Sequence, residues 1–206
     1  MINDKRISAI QGLQIRYDPE PAHSDQVARL ALQLFDELQE LHQLPLTERL
    51  FLYAGGLLHD IGYAQQNGAG HHKNSLRIIL DCGLPGFDAT EVAIIANIAR
   101  YHRKALPSLS HPEFAALSPA ARSIVTHLSA LLRIADGLDR SHRRLVHQIE
   151  GQITAVQVTL EIRHFGDLRE EIVAAERKAD LFRQVYQREI KFQAVCLTEK
   201  ITPEAR

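Results

Sequence analysis

The chain has no tryptophan, one methionine and only two cysteines among its 206 residues. Cys82 and Cys196 lie far apart and show no CxxC spacing, and no apolar export segment opens the chain, so a reduced, cytoplasmic setting is expected. Both thiols read as core fillers rather than ligands or nucleophiles. No stretch approaches the roughly 18 consecutive apolar residues that a membrane span needs. One-sided charge is missing as well: 24 basic side chains face 25 acidic ones, a formal net charge of -1. That balance removes any global attraction to nucleic acid or to an anionic membrane, and aromatics at 6% leave little for base stacking. Nor does a GxSxG or Cys-His spacing suggest a nucleophilic mechanism. An anion-binding surface, if present, must be a local patch.

What is there is a core. Hydrophobic residues make up 45% of the chain, enough for one substantial core or one domain with a smaller appendage. Residues 1–17 carry too few periodic apolar positions to fix an element, although Ile7, Ile10 and Leu13 could line a short helix. Asp18-Pro19 has the form of a cap followed by proline at the first helical position, and Val27, Leu30, Leu34, Phe35, Leu38 and Leu41 continue at helical spacing to about His42. Thr47 is a candidate cap for a second helix ending near Gly62. A loop over 65–70 leads to a shorter helix with Leu76 and Ile79, and another begins near Asp88. Ser118-Pro119 opens the longest core helix, carrying Ile124, Val125, Leu128, Leu131, Leu132, Ala135 and Leu138.

After about Glu150 the period changes from 3.6 to 2, because Val156, Val158, Leu160 and Ile162 alternate with polar residues. One helix is expected from about Asp167 to Gln187, and Ile190, Phe192, Ala194 and Cys196 alternate again. Residues 145–149 could add a third strand. The predicted fold is mainly α, an all-helical domain over 1–150 with a small strand-helix-strand α+β unit over 151–206.

The residues that carry chemistry interrupt apolar stripes. His59 and Asp60 break an apolar stretch of helix, and an ionised carboxylate buried without a partner costs several kcal/mol. His23 precedes Val27 by four residues, His102 follows Ile98 by four, and Asp136 follows Leu132 by four, so each projects with a buried stripe. A lone inward histidine is usually a hydrogen-bonded core residue. Several imidazoles and carboxylates converging on one core are different, since one divalent cation satisfies them all. Nitrogen beside oxygen suits Zn, Mn or Fe and tolerates Mg.

The order His23, His59-Asp60, Asp136 resembles the HD superfamily. More narrowly, the blocks 26–35 (QVARLALQLF), 57–62 (LLHDIG), 70–75 (GHHKNS), 100–105 (RYHRKA) and 131–140 (LLRIADGLDR) resemble the C-terminal region of exopolyphosphatases and guanosine pentaphosphatases, from about residue 15 onward. The resemblance implies an HD-type helical bundle holding one or two divalent metals through His23, His59, Asp60 and Asp136, with His72 and His102 completing a second site and His71 competing with His72. It does not imply the polyphosphate cleavage attributed to the family's N-terminal actin-like domains, for which the segment before His23 is too short. Two positions depart from the pattern: Asn74 stands where a further histidine is usual, and Tyr63 where a lysine often follows the HD-Ile-Gly run.

The expected activity is metal-assisted hydrolysis of a phosphate ester or anhydride in a small phosphorylated substrate such as a nucleotide. Asp60 is the catalytic candidate, as ligand and as the group that orients water whose pKa a metal lowers toward about 7. Arg103, Lys104, Lys73 and Arg140, with Arg133 beside Asp136, are candidate phosphate contacts. Two rivals stand beside this expectation: a non-catalytic module sensing a phosphorylated metabolite, and oxidative chemistry at a di-iron centre. The residues leave the tail three roles, namely completing the pocket, self-association into a homo-oligomer, or covering the core.

Overall fold

Apolar side chains at helical spacing become a bundle, and the alternating segments that follow become a small sheet, in a computed structural model that describes residues 2–64 and 70–197. The helices are α1 (Ile2–Tyr17), α2 (Pro21–Glu37), α3 (Gln39–His42), α4 (Leu46–Leu58), α5 (His71–Cys82), α6 (Ala89–Arg100), α7 (Pro112–Ala115), α8 (Pro119–Gly137), α9 (Arg169–Lys178) and α10 (Asp180–Tyr186), with a 3-10 turn at Ile61–Ala64. The strands are β1 (Val146–Ile153), β2 (Gln157–His164) and β3 (Glu189–Cys196). Among the described residues no helix is long and apolar enough to cross a membrane.

Helices α2, α4, α6 and α8 pack in a ring, each against the next, while α1 lies on α4 and α5 lies on α6 and the 3-10 turn. Their facing stripes, including Val27, Leu34, Leu58, Ile98, Leu128 and Leu131, are buried. Truncating one of these leucines or Ile98 to alanine costs about 2–5 kcal/mol. Local signals fix several helix starts. Asp88 and Glu91 form a reciprocal capping box on α6, and Ser118 accepts from the Ala121 N–H at the start of α8, ahead of Pro119.

The sheet has the order β1-β2-β3. β1 and β2 form an antiparallel hairpin, whereas β2 and β3 are parallel and joined through α9 and α10, as a parallel pair requires a crossover. Val158, Leu160, Ile162 and His164 of β2 are buried, and the residues between them are half-exposed. β1 lies on α2 and α9 lies on α8, so the C-terminal unit extends the same hydrophobic core as the helices. Residue 150 lies inside β1.

Several local expectations are corrected. Residues 2–17 form a full helix with Ile10 and Leu13 buried. Helix α2 starts at Pro21 with Glu20 at the cap position; Asp18 instead accepts a hydrogen bond from the Glu20 N–H, 2.9 Å away, in the preceding bend. Thr47 lies within α4, whose cap is Pro45, and its hydroxyl donates to Glu48. The single helix expected over 167–187 is two, because Arg133 and Asp180 draw the backbone into a break at Ala179. Cys82 and Cys196 are exposed free thiols rather than core fillers: one ends α5 and the other ends β3. The loop over 65–69 lies outside the described residues.

Candidate metal centre

The inside of the helical ring is not uniformly apolar. His23 on α2, His59 and Asp60 just past α4, His71 at the start of α5, His102 just past α6 and Asp136 in the last turn of α8 meet at one place. Three overlapping sets could each hold a metal ion, namely His23-His59-Asp60, His59-His102-Asp136 and Asp60-His71-His102, with the ligand atoms of each set within 4.8 Å of one another.

Second partners aim the imidazoles. His59 Nδ1 lies 2.7 Å from the Gly56 carbonyl oxygen, His102 Nδ1 lies 2.7 Å from that of Ala99, and His23 Nδ1 lies 2.8 Å from the Asp139 carboxylate. A ring that donates from Nδ1 to an oxygen keeps the Nε2 lone pair for a ligand. The Arg144 N–H donates to the other oxygen of Asp139 at 2.8 Å, holding that carboxylate in turn. Asp60 faces both halves of the cluster. Its Oδ2 is 3.4 Å from His59 Nε2 and 4.0 Å from His23 Nε2, and its Oδ1 is 3.4 Å from His71 Nε2 and 3.5 Å from His102 Nε2. His23 Nε2 is also 3.7 Å from Asp136 Oδ1.

These separations suit a shared cation. Donors about 2.0–2.2 Å from a tetrahedral centre stand about 3.3–3.6 Å apart, and most of the pairs around Asp60 fall in that range. His59 Nε2 and Asp60 Oδ1 are, moreover, buried atoms without a hydrogen-bond partner. Other orphaned atoms occur in the fold, but these two belong to residues whose ligand atoms cluster within 4.8 Å of further nitrogen and oxygen donors, where a metal ion would satisfy them. The residues therefore fit a divalent metal.

Electrostatics prepare the same site. Burial alone raises a carboxyl pKa, yet His59 outweighs it at Asp60, and Lys178 and His23 outweigh it at Asp136; both carboxyls stay far below the usual range. Burial pushes His102 well below the ordinary imidazole value, keeping it neutral and able to ligate. At His23 burial pulls down, but Asp136 and Asp139 win and raise it to about 10, so a proton occupies this imidazole when no metal does. Burial, helped by His71 and Arg103, lowers His72 to about 4.

Close backbone approach brings the turns together. A Cβ on Gly62 would stand 2.1 Å from the His71 carbonyl oxygen and 2.5 Å from the Ser75 nitrogen. Glycine there allows α5 to dock on the His-Asp turn. Ser75 completes the joint, donating to the His59 carbonyl at 2.7 Å and accepting from the Gly62 N–H at 2.9 Å.

A domain family described as "Ppx/GppA phosphatase, domain III" matches residues 6–171. The chain belongs to that family. It is 35% identical over 144 residues to a guanosine-5'-triphosphate,3'-diphosphate pyrophosphatase of Vibrio vulnificus (strain YJ016), covering 69% of this chain and 27% of the relative. A protein of the same description from Pseudoalteromonas translucida (strain TAC 125) is 32% identical over 139 residues, 65% of this chain and 26% of the relative. The chain thus spans about a quarter of the length of these curated relatives.

In this domain III chain the cluster opens into a cavity of about 430 Å³ whose walls include His23, Asp60, Tyr63, His102 and Asp136. Of the predicted phosphate contacts, Arg103, Lys104 and Arg140 line it. Lys73 does not, being an exposed residue of α5, and the Arg133 guanidinium is bound instead to Asp180 and to backbone carbonyls. His71, not His72, joins the ligand sets, because α5 begins at His71 and turns the next residue away. Tyr63 stacks on His71 with ring centroids 3.8 Å apart, and Asn74 is buried with its amide 3.5 Å from the Gly62 carbonyl oxygen.

Four contributors were not among the candidate residues: Asp139, His142, whose ring stacks on that of His23 with centroids 3.8 Å apart, Arg177 and Lys178. Asp139 could have been found, since it follows Asp136 by three residues and so shares its face. Arg177 and Lys178, which line the cavity from α9, carry no local signal; the crossover between β2 and β3 brings them there. Lys178 Nζ bonds to Asp136.

Proposed function

We propose that the chain is an HD-type, metal-dependent phosphohydrolase acting on a phosphate ester or anhydride of a nucleotide or a related phosphorylated metabolite. The observation that carries this is the pair of orphaned buried atoms, His59 Nε2 and Asp60 Oδ1, in a cluster that opens through His23, Asp60, His102 and Asp136 into a cavity lined by cations. His23, His59, Asp60 and Asp136 would hold one divalent ion (Mn, Mg, Zn or Fe), and Asp60, His71 and His102 a second. Such an ion supplies Lewis acidity at the phosphoryl group and lowers the pKa of water.

The protein's own groups do the rest. Asp60, with an oxygen toward each half of the cluster, orients the attacking water. Arg103, Lys104 and Arg140 bind the phosphate oxygens and offset the charge that develops on them. The apolar ring beneath excludes bulk water and strengthens each of these interactions. The names of the relatives point to guanosine nucleotides carrying linked phosphates as the first substrates to try.

A second proposal is that the same cavity binds a phosphorylated metabolite without cleaving it, since the lysines and arginines lining it would hold phosphate with or without a metal. Elemental analysis of protein purified without chelators, joined to a phosphate-release assay on guanosine 5'-triphosphate 3'-diphosphate, separates the two. One or two metal equivalents with turnover, both lost in His59→Ala, is the expected result. Tight binding without release would move the conclusion to the sensor, and iron with oxygen consumption would move it to oxidative chemistry.

A further inference from the structure

We propose that Lys178 is a phosphate-binding residue of this site, so that the C-terminal unit forms one of its walls instead of merely covering the core. The proposal rests on the cavity taking a phosphorylated ligand, as above. Lys178 ends α9, where the helix dipole favours a cation, and its ammonium bonds to Asp136 within the ligand cluster. A lysine ammonium has three donors, the Asp136 bond uses one, and the side chain lines the cavity at 22% exposure.

Its position is enforced from two sides. Arg133, itself buried, donates to the Lys178 carbonyl at 3.3 Å, to the Asp180 carboxylate at 2.8 Å and to the Tyr101 carbonyl at 3.3 Å, pinning the end of α9 to α8 and to the turn after α6. Gly137, next to Asp136, lets the two helices touch, since a Cβ there would stand 2.7 Å from Ala175 Cα. A rigid backbone thus carries a side chain whose head is only partly used. Arg177, Arg103, Lys104 and Arg140 line the same cavity, so cations outnumber the carboxylates Asp60 and Asp136 before any metal is counted.

The test titrates inorganic pyrophosphate into manganese-loaded protein by calorimetry, for the parent, Lys178→Met and Lys178→Arg. A charge-assisted hydrogen bond implies about ten- to a hundredfold weaker binding in Lys178→Met, with most of the affinity restored in Lys178→Arg and the same metal content in all three. The parent chain supplies a second measurement that needs no variant to fold: pyrophosphate should shield Lys178 from acetylation, read by mass spectrometry, while leaving exposed Lys191 reactive. Parent-like affinity in a folded, metal-loaded Lys178→Met overturns the proposal, as does acetylation of Lys178 that bound pyrophosphate does not slow. A parent that retains no metal would count against the metal centre alone, because the labelling run without metal still reports on Lys178.

Discussion

Arg133 and Asp60 are both charged and both buried, yet the molecule treats them in opposite ways. The Arg133 guanidinium spends its donors on the Asp180 carboxylate and on the Lys178 and Tyr101 carbonyls, closing a joint between the bundle and the C-terminal unit. Asp60 keeps one buried oxygen without a hydrogen bond and is ringed by four imidazole nitrogens at 3.4 to 4.0 Å. The Arg133 charge has a structural task and closes its bonds within the protein. One left open among aligned lone pairs is prepared for something that arrives later.

That contrast can be broken from either side. Asp60→Ala should have the largest effect, abolishing metal retention and phosphate release together; a variant that keeps full turnover would remove Asp60 from the mechanism. Asp139→Asn comes next, because it loosens His23 without touching a ligand atom. Metal affinity should fall about 10- to 100-fold, read by competition with a chelating dye, and an unchanged affinity would reduce Asp139 to a simple core residue. Arg133→Ala should act on folding, leaving carbonyls unpaired and costing about 1–3 kcal/mol in urea unfolding, with metal content preserved. Loss of metal with no loss of stability would reverse the roles assigned to the two groups.

The smallest effect is one proton. His23 in the metal-free protein is raised to about 10 from an ordinary 6.5. Its contribution to stability is therefore fully present below about pH 6.5 and lost as pH rises through about 10. At pH 8 a metal must displace that proton, so loading should release about one proton, seen by calorimetry in two buffers of different ionisation enthalpy. Heats independent of the buffer would contradict a protonated His23.

His23, His59, Asp60, His102 and Asp136 were legible in the sequence because each breaks an apolar stripe whose phase is set locally. The helix start near Asp88 and the cap at Ser118 were legible for a similar reason, since the signals at a helix start act on backbone groups two or three residues away. The choice of His71 over His72 was not legible, because one residue of helical phase depends on where α5 begins after its loop. Lys178 was invisible for another reason: its partner Asp136 is 42 residues distant and meets it only through the crossover and the contact at Gly137. The break at Ala179 hides behind an apolar period that runs unbroken across it. The cysteines misled because burial of a thiol depends on what covers it, and the ends of α5 and β3 leave Cys82 and Cys196 uncovered.

The central claim is that imidazoles and carboxylates from separate helices share a cation. An anomalous difference map from crystals grown with manganese tests it directly. It should show a peak among His23, His59, Asp60 and Asp136, with a second beside His71 and His102 if two ions bind. A map flat at this cluster, with the same side chains bonded only to one another, would contradict it.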